Sequence, residues 1–150
     1  MIFFLPVARF FRPRYSLRTS LLTKAEQHFL DSLDRANDGQ WRIFCQVRVA
    51  DVISLAPGLS GKAALAARGQ INQKHFDFVL CDPGDLTIQA AIELDDRSHQ
   101  RSDRQKRDKF LDAMAKKVGL PLVRFPVRQS YDHEEIRLII EAALATTAIR

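Results

Sequence analysis

Between His75 and Asp95 the chain alternates twice. Phe76, Phe78 and Leu80 interleave with Asp77, Val79 and Cys81, and Ile88, Ala90, Ile92 and Leu94 interleave with Gln89, Ala91, Glu93 and Asp95. A period of two is that of strands, and Pro83 with Gly84 supplies a turn, so the stretch predicts an antiparallel hairpin. Trp41 to Val49 predicts another strand, Ile43, Cys45, Val47 and Val49 alternating with Arg42, Phe44, Gln46 and Arg48; Asp51 to Ile53 extends or ends it. A helical period places Leu22, Ala25, Phe29, Leu33 and Ala36 on one face of a helix. Thr23-Lys-Ala-Glu26 opens that helix as a capping box, and Asn37-Asp-Gly39 stops it. Leu55 to Gln70 reads as a loop with a helical turn at Lys62 to Ala67. A helix from about Gln100 to Val118 follows the hairpin, with Phe110, Leu111, Met114 and Val118 inward, and Gly119 and Pro121 end it. Leu120 to Phe125 is a short apolar strand interrupted by Pro121 and Arg124. A last helix runs from about Asp132 to Ala145 with Ile136, Ile139, Ile140 and Leu144 inward, giving the order α, β, β, β, α, β, α.

Opposed residues of a hairpin have a constant sum of numbers, and a loop centred on Gly84 or Asp85 makes it about 168 to 170. Asp77 then faces Ala91 or Glu93. In either register Asp77, Glu93 and Asp95 fall on one face near the open end of the hairpin. Crowded carboxylates repel, and two readings answer that repulsion: a hard cation such as Mg²⁺, or a salt-bridged edge. Glu26 lies on the edge of the first helix's apolar face; it either only closes the cap or points towards the acids.

Length and composition narrow the setting. A chain of 150 residues is one domain with a real core, and 46% hydrophobic with 27% charged residues is an ordinary globular balance. The net charge of +5 favours an anionic partner. Between Arg97 and Lys109 six basic residues stand against two acids, directly after the carboxylates. Such a run is usually a solvated helix face, but its position suggests phosphate contact. Cys45 and Cys81 sit in strands among apolar residues, as reduced thiols of a cytoplasmic protein would, and no zinc-ligand spacing accompanies them. Pro57-Gly-Leu-Ser-Gly-Lys62 lacks the spacing of a phosphate-binding glycine loop. Met1 to Tyr15 is too short an apolar stretch to span a bilayer. It reads as an arm over residues 1–20 that packs on the domain or a partner, as an interfacial anchor, or as the stub of a longer segment; the domain proper is expected over 21–145.

The element order resembles the restriction-endonuclease-like superfamily, the PD-(D/E)XK nucleases. More closely, Thr23-Lys-Ala-Glu26-Gln-His-Phe29, Lys74-His-Phe-Asp77-Phe-Val-Leu80, Glu93-Leu-Asp-Asp-Arg-Ser-His99, Arg107-Asp-Lys109 and Gly119-Leu-Pro-Leu-Val-Arg124 are similar to a bacterial domain family of unknown function assigned to that superfamily. The element from Glu93 to His99 resembles that of nucleases related to the very-short-patch mismatch-repair endonuclease.

The resemblance implies an α/β fold with an αβββαβ core, a mixed central sheet flanked by helices, and a C-terminal helix. It also implies a DNA endonuclease using Mg²⁺ or Mn²⁺. Asp77 and Glu93 would be the metal pair, Glu26 an auxiliary acid, and the carbonyl of Leu94 a further ligand. The superfamily's usual lysine is replaced by Asp95, which becomes a third ligand on the pattern of the related nucleases. His99 would be the general acid or base, or would simply lead into the helix. Arg101, Arg104, Lys106, Arg107 and Lys109 would hold phosphates, with Lys106 or Lys109 reaching the site. The missing lysine leaves open a binding module of the same fold without cleavage. A membrane-associated interaction protein anchored by residues 1–15 is the rival from outside the nucleases.

Overall fold

The computed structural model describes residues 15–95 and 102–148, without the side chains of 102–107 and 148. The arm expected over 1–20 therefore lies outside the described residues up to residue 14; in the part described, Tyr15 and Leu17 are exposed.

Helix α1 (Lys24–Asn37) begins where the sequence places it. Glu26 N–H donates to Thr23 Oγ1, and Thr23 N–H donates to Glu26 Oε2 at 2.6 Å, completing the capping box. Asp38 and Gly39 then take left-handed backbone (φ 43° and 77°) and end it. Strand β1 (Arg42–Arg48) stops earlier than expected, because the one-turn helix α2 (Val49–Val52) follows at once. The Arg48–Asp51 ion pair spans that turn, and the bond from Val49 N–H to the Lys74 carbonyl is the last rung of pairing with the neighbouring strand.

The stretch read as a loop is largely a helix, α3 (Gly61–Asn72). Its run of alanine, leucine, lysine and arginine has high helix propensity. It buries only Ile71, so the apolar stripe that would announce a helix is absent.

Strands β2 (His75–Cys81) and β3 (Ile88–Asp95) form the expected hairpin. Helix α4 (Ser102–Val118) ends with Gly119 at φ 73°, where Leu120 N–H reaches the Ala115 carbonyl in a Schellman arrangement. Its buried positions include Leu111 and Ala115, with Phe110 and Met114 packed beside them; Val118, expected inward, is exposed. Strand β4 (Leu122–Pro126) and helix α5 (His133–Ala148) complete the chain. Ile136 and Ile140 of α5 are buried, whereas Ile139 lies at the margin.

The sheet order is β1-β2-β3-β4, antiparallel across the first two junctions and parallel across β3 and β4. The fold is thus mixed α/β in the expected αβββαβ order, with α2 and α3 inserted between β1 and β2 and a helix added at the C-terminus. Phe29, Leu33, Ile136 and Ile140 of α1 and α5 pack with Phe78, Leu80, Ile92 and Phe125. A second core joins Leu111, Ile71, Val49 and Ile53 to Val79, Cys81 and Ala91. Alternating strand residues feed the two cores, as a sheet covered on both faces requires. Among the described residues no helix is long and apolar enough to cross a membrane.

Candidate functional site

The hairpin register decides between the two expected pairings. Phe78 pairs with Ile92, Val79 with Ala91 and Leu80 with Ala90, a constant sum that carries Asp77 opposite Glu93. At the next position the Asp77 side chain reaches the neighbouring strand: its Oδ2 accepts from Leu94 N–H at 2.7 Å. A side-chain oxygen thereby stands where a strand carbonyl would otherwise accept. Glu93 is only 3% exposed, a depth that carboxylates reach only when partnered. The parallel register places Arg124 of β4 directly beside it.

Arg124 gathers the other acids. Its Nη1 lies 3.0 Å from Asp95 Oδ1, its Nη2 lies 3.0 Å from Asp112 Oδ1, and Asp108 Oδ1 is 3.8 Å from Nη1. Asp112 and Asp108 belong to α4, so this guanidinium ties that helix to the sheet edge. Burial works against the Arg124 charge, but its bond to Asp112 and the charges of Asp112, Asp95 and Asp108 outweigh burial and hold its pKa above that of an ordinary arginine.

Glu26 closes the cap and has one further partner. One carboxylate oxygen closes the cap, and Oε1 accepts from Gln46 Nε2 at 3.1 Å. Cys45 pairs with Phe78 and Val47 with Phe76, so Gln46 stands opposite Asp77 in the register. A polar row therefore crosses the sheet with one residue per strand: Gln46, Asp77, Glu93 and Arg124.

Asp95 is committed to Arg124, the salt-bridged answer to carboxylate crowding. Among the described residues no three His, Cys, Asp or Glu side chains gather as a metal-holding group, so the trio of Asp77, Glu93 and Asp95 does not form a protein-only cage. The remaining donor set is oxygen-rich and small. Mg²⁺ commonly takes one or two carboxylates and keeps water on its other positions, and the Asp77–Glu93 pair fits that mode. His99 and Arg101 lie outside the described residues. Arg104, Lys106 and Arg107 fall on the first turns of α4, with side chains outside the description, and Lys109 is exposed.

Two residues of this row were not singled out by sequence. Arg124 carried a signal, a cation inside an otherwise apolar strand. Gln46 carried none, because an exposed-face glutamine is ordinary in an alternating strand. A cavity of about 930 Å³ lined by Ile53, Leu55, Ile88, Leu120, Pro121 and Leu144 lies apart from the row and includes none of the candidate residues.

No curated protein and no solved structure matches the chain. A family model described as "Protein of unknown function (DUF2726)" matches residues 18–144, from just before the cap of α1 well into α5. With its sheet, both cores and the polar row inside that span, the chain belongs to the DUF2726 family.

Proposed function

We propose that this chain is a cytoplasmic, nuclease-like hydrolase of phosphodiester bonds, related to the restriction-endonuclease-like and very-short-patch-repair-like enzymes, with DNA as substrate and Mg²⁺ or Mn²⁺ as cofactor. The observation that carries the reading is the register opposition of Asp77 and Glu93 at one end of β2 and β3, with Arg124 beside Glu93. Asp77 and Glu93 are the residues to hold the ion, and a bound divalent cation supplies an activated water and charge neutralisation at phosphate. Glu26 is assigned the auxiliary role, and Gln46, which stands opposite Asp77 in the register, donates to it. His99 is assigned the proton transfers. The basic run from Arg101 to Lys109 is assigned the nucleic-acid backbone, which gives affinity a steep dependence on salt.

Arg124 bears on the missing lysine. In the motif position Asp95 cannot offset phosphate charge, but its ion pair holds a guanidinium beside Glu93. The acid end is thus not purely anionic.

The test is incubation of the full chain with plasmid and with single-stranded DNA in Mg²⁺ or Mn²⁺, beside Asp77→Asn. Cleavage that requires the metal and is lost in the variant is expected. Cleavage that persists in Asp77→Asn would overturn the assignment. A binding module without cleavage is the second reading, favoured by the commitment of Asp95 to Arg124 and of one Asp77 oxygen to Leu94 N–H. Salt-dependent DNA binding without cutting under any metal would select it.

A further inference from the structure

Gln46 has a backbone that its neighbours do not explain. Among the described residues the non-glycine positions with positive φ are Asp38, Gln46 and Leu86. Asp38 ends a helix and Leu86 sits in the hairpin turn, two places where left-handed backbone is routine. Gln46, at φ 55°, lies inside strand β1. Pairing on either side keeps one register, so no residue has been inserted to force the turn.

The conformation has a visible consequence in the packing. Ile43 and Cys45 pack on the first core, whereas Val47, two residues further, packs on the second. On the partner strand Phe78 and Leu80 belong to the first core and Phe76 to the second. Regular alternation would keep each of these sets on one face. Both strands therefore turn over at the same level, that of Gln46 and Asp77.

The side chain that emerges at this level spends its amide on Glu26. One Glu26 oxygen is already fixed by Thr23 N–H, so the bond from Gln46 fixes the other. An amide donor orients a carboxylate without cancelling its charge, unlike the guanidinium that neutralises Asp95. Gln46 also borders a polar cavity of about 170 Å³ with Gln73, Lys74 and His75, so the level of the turnover is open to solvent. Glycine would adopt the same backbone without strain, and strain kept at a non-glycine residue points to a use for its side chain.

We infer that Gln46 is a positioning residue for Glu26: its left-handed backbone directs its amide to that carboxylate and fixes the oxygen that the cap leaves over. This rests on the metal-dependent reading above for its purpose, but not for the contact itself.

The experiment compares Gln46→Gly with the wild-type full chain. Glycine relieves the backbone and removes only the side chain, so the variant folds with an unchanged or higher thermal midpoint. Mn²⁺ titration by calorimetry is expected to show at least about a fivefold weaker uptake, and the Mg²⁺ needed for half-maximal cleavage rises in parallel. Gln46→Glu, which sets a second carboxylate against Glu26, is weakened at least as much. A Gln46→Gly protein that takes up Mn²⁺ as the wild type does would overturn the inference. If the wild type takes up no Mn²⁺, the metal-dependent reading fails on its own. The inference is then decided on the metal-free proteins by carbon-13 relaxation of the Glu26 side chain. Its order must fall in Gln46→Gly, and an unchanged order rejects the contact.

Discussion

The hairpin of β2 and β3 has carboxylates at both ends, and the two ends use them differently. At the turn, Asp82 Oδ1 accepts from Gly84 N–H at 2.7 Å and from Asp85 N–H at 3.3 Å, and Asp85 accepts from Thr87 N–H. The Thr87 backbone and hydroxyl hold the Asp85 carboxyl below its ordinary pKa. These partners all lie within three residues, as in Asx turns. At the open end the partners are remote: Leu94 for Asp77, Arg124 for Asp95, and Gln46 for Glu26. Acidity alone therefore does not mark a site. Partners drawn from other elements set the open end apart from the turn.

Removing a charge from each end should affect the two ends very differently. Glu93→Gln keeps the size of a side chain that is 3% exposed. Cleavage in Mg²⁺ is expected to fall at least about 100-fold, which is about 2.7 kcal/mol of transition-state stabilisation. Asp82→Asn and Asp85→Asn should stay within about twofold of the wild type, because those groups only shape a turn. Equal losses at both ends in a plasmid-nicking assay would show that the contrast between them has no functional content.

Much of the open end was legible beforehand because strands encode it by parity. Once Pro83 and Gly84 fix the turn, the opposition of Asp77 and Glu93 is one of two registers. The capping box placed Glu26, and the element order gave the α/β class. The rest depended on information that local pattern does not hold. The partner of Asp95 lies 29 residues away on a parallel strand whose neighbour no turn specifies. Asp108 of α4 reaches Arg124, sixteen residues on. Phe76 looked like a companion of Phe78 and Leu80, but the left-handed backbone at Gln46 accompanies a change of core. Helix α3 was legible only as a turn at Lys62 to Ala67, because it buries almost nothing.

A second contrast concerns stability. Arg124 has a side chain 21% exposed and three acidic partners, whereas Arg128, paired with Glu135 at 3.1 Å, is 47% exposed. Arg124→Ala strands three carboxylates near one another and frees α4 from the sheet edge. It is expected to cost about 2 kcal/mol in urea unfolding, the size of a hydrogen bond to a charged group and less than the loss of a fully buried pair. Arg128→Ala is expected to cost about 0.5 kcal/mol, as exposed pairs do. Similar midpoints for the two variants would mean that Arg124 is as dispensable as a surface charge. The central role given to it at the open end would then fall.

The smallest effect separates the ends through their thiols. Burial raises the pKa of both Cys45 and Cys81, but the negative charges of Asp34 and Glu26 raise Cys45 further. A raised thiol pKa means less thiolate at pH 8 than an ordinary cysteine has, so both should alkylate slowly, with rates still climbing above about pH 8.5. Glu26→Gln removes one negative charge while keeping an oxygen for the cap. The Cys45 thiolate then forms more readily, and its alkylation at pH 8 should quicken by about twofold, the size expected of one partly screened charge. Cys81, whose shift has burial as its cause, should not respond. Peptide mass mapping of the alkylated protein resolves the two sites. An equal rise at both cysteines would indicate general loosening by the substitution. No rise at Cys45 would mean that the Glu26 carboxylate does not stand where the Gln46 amide holds it.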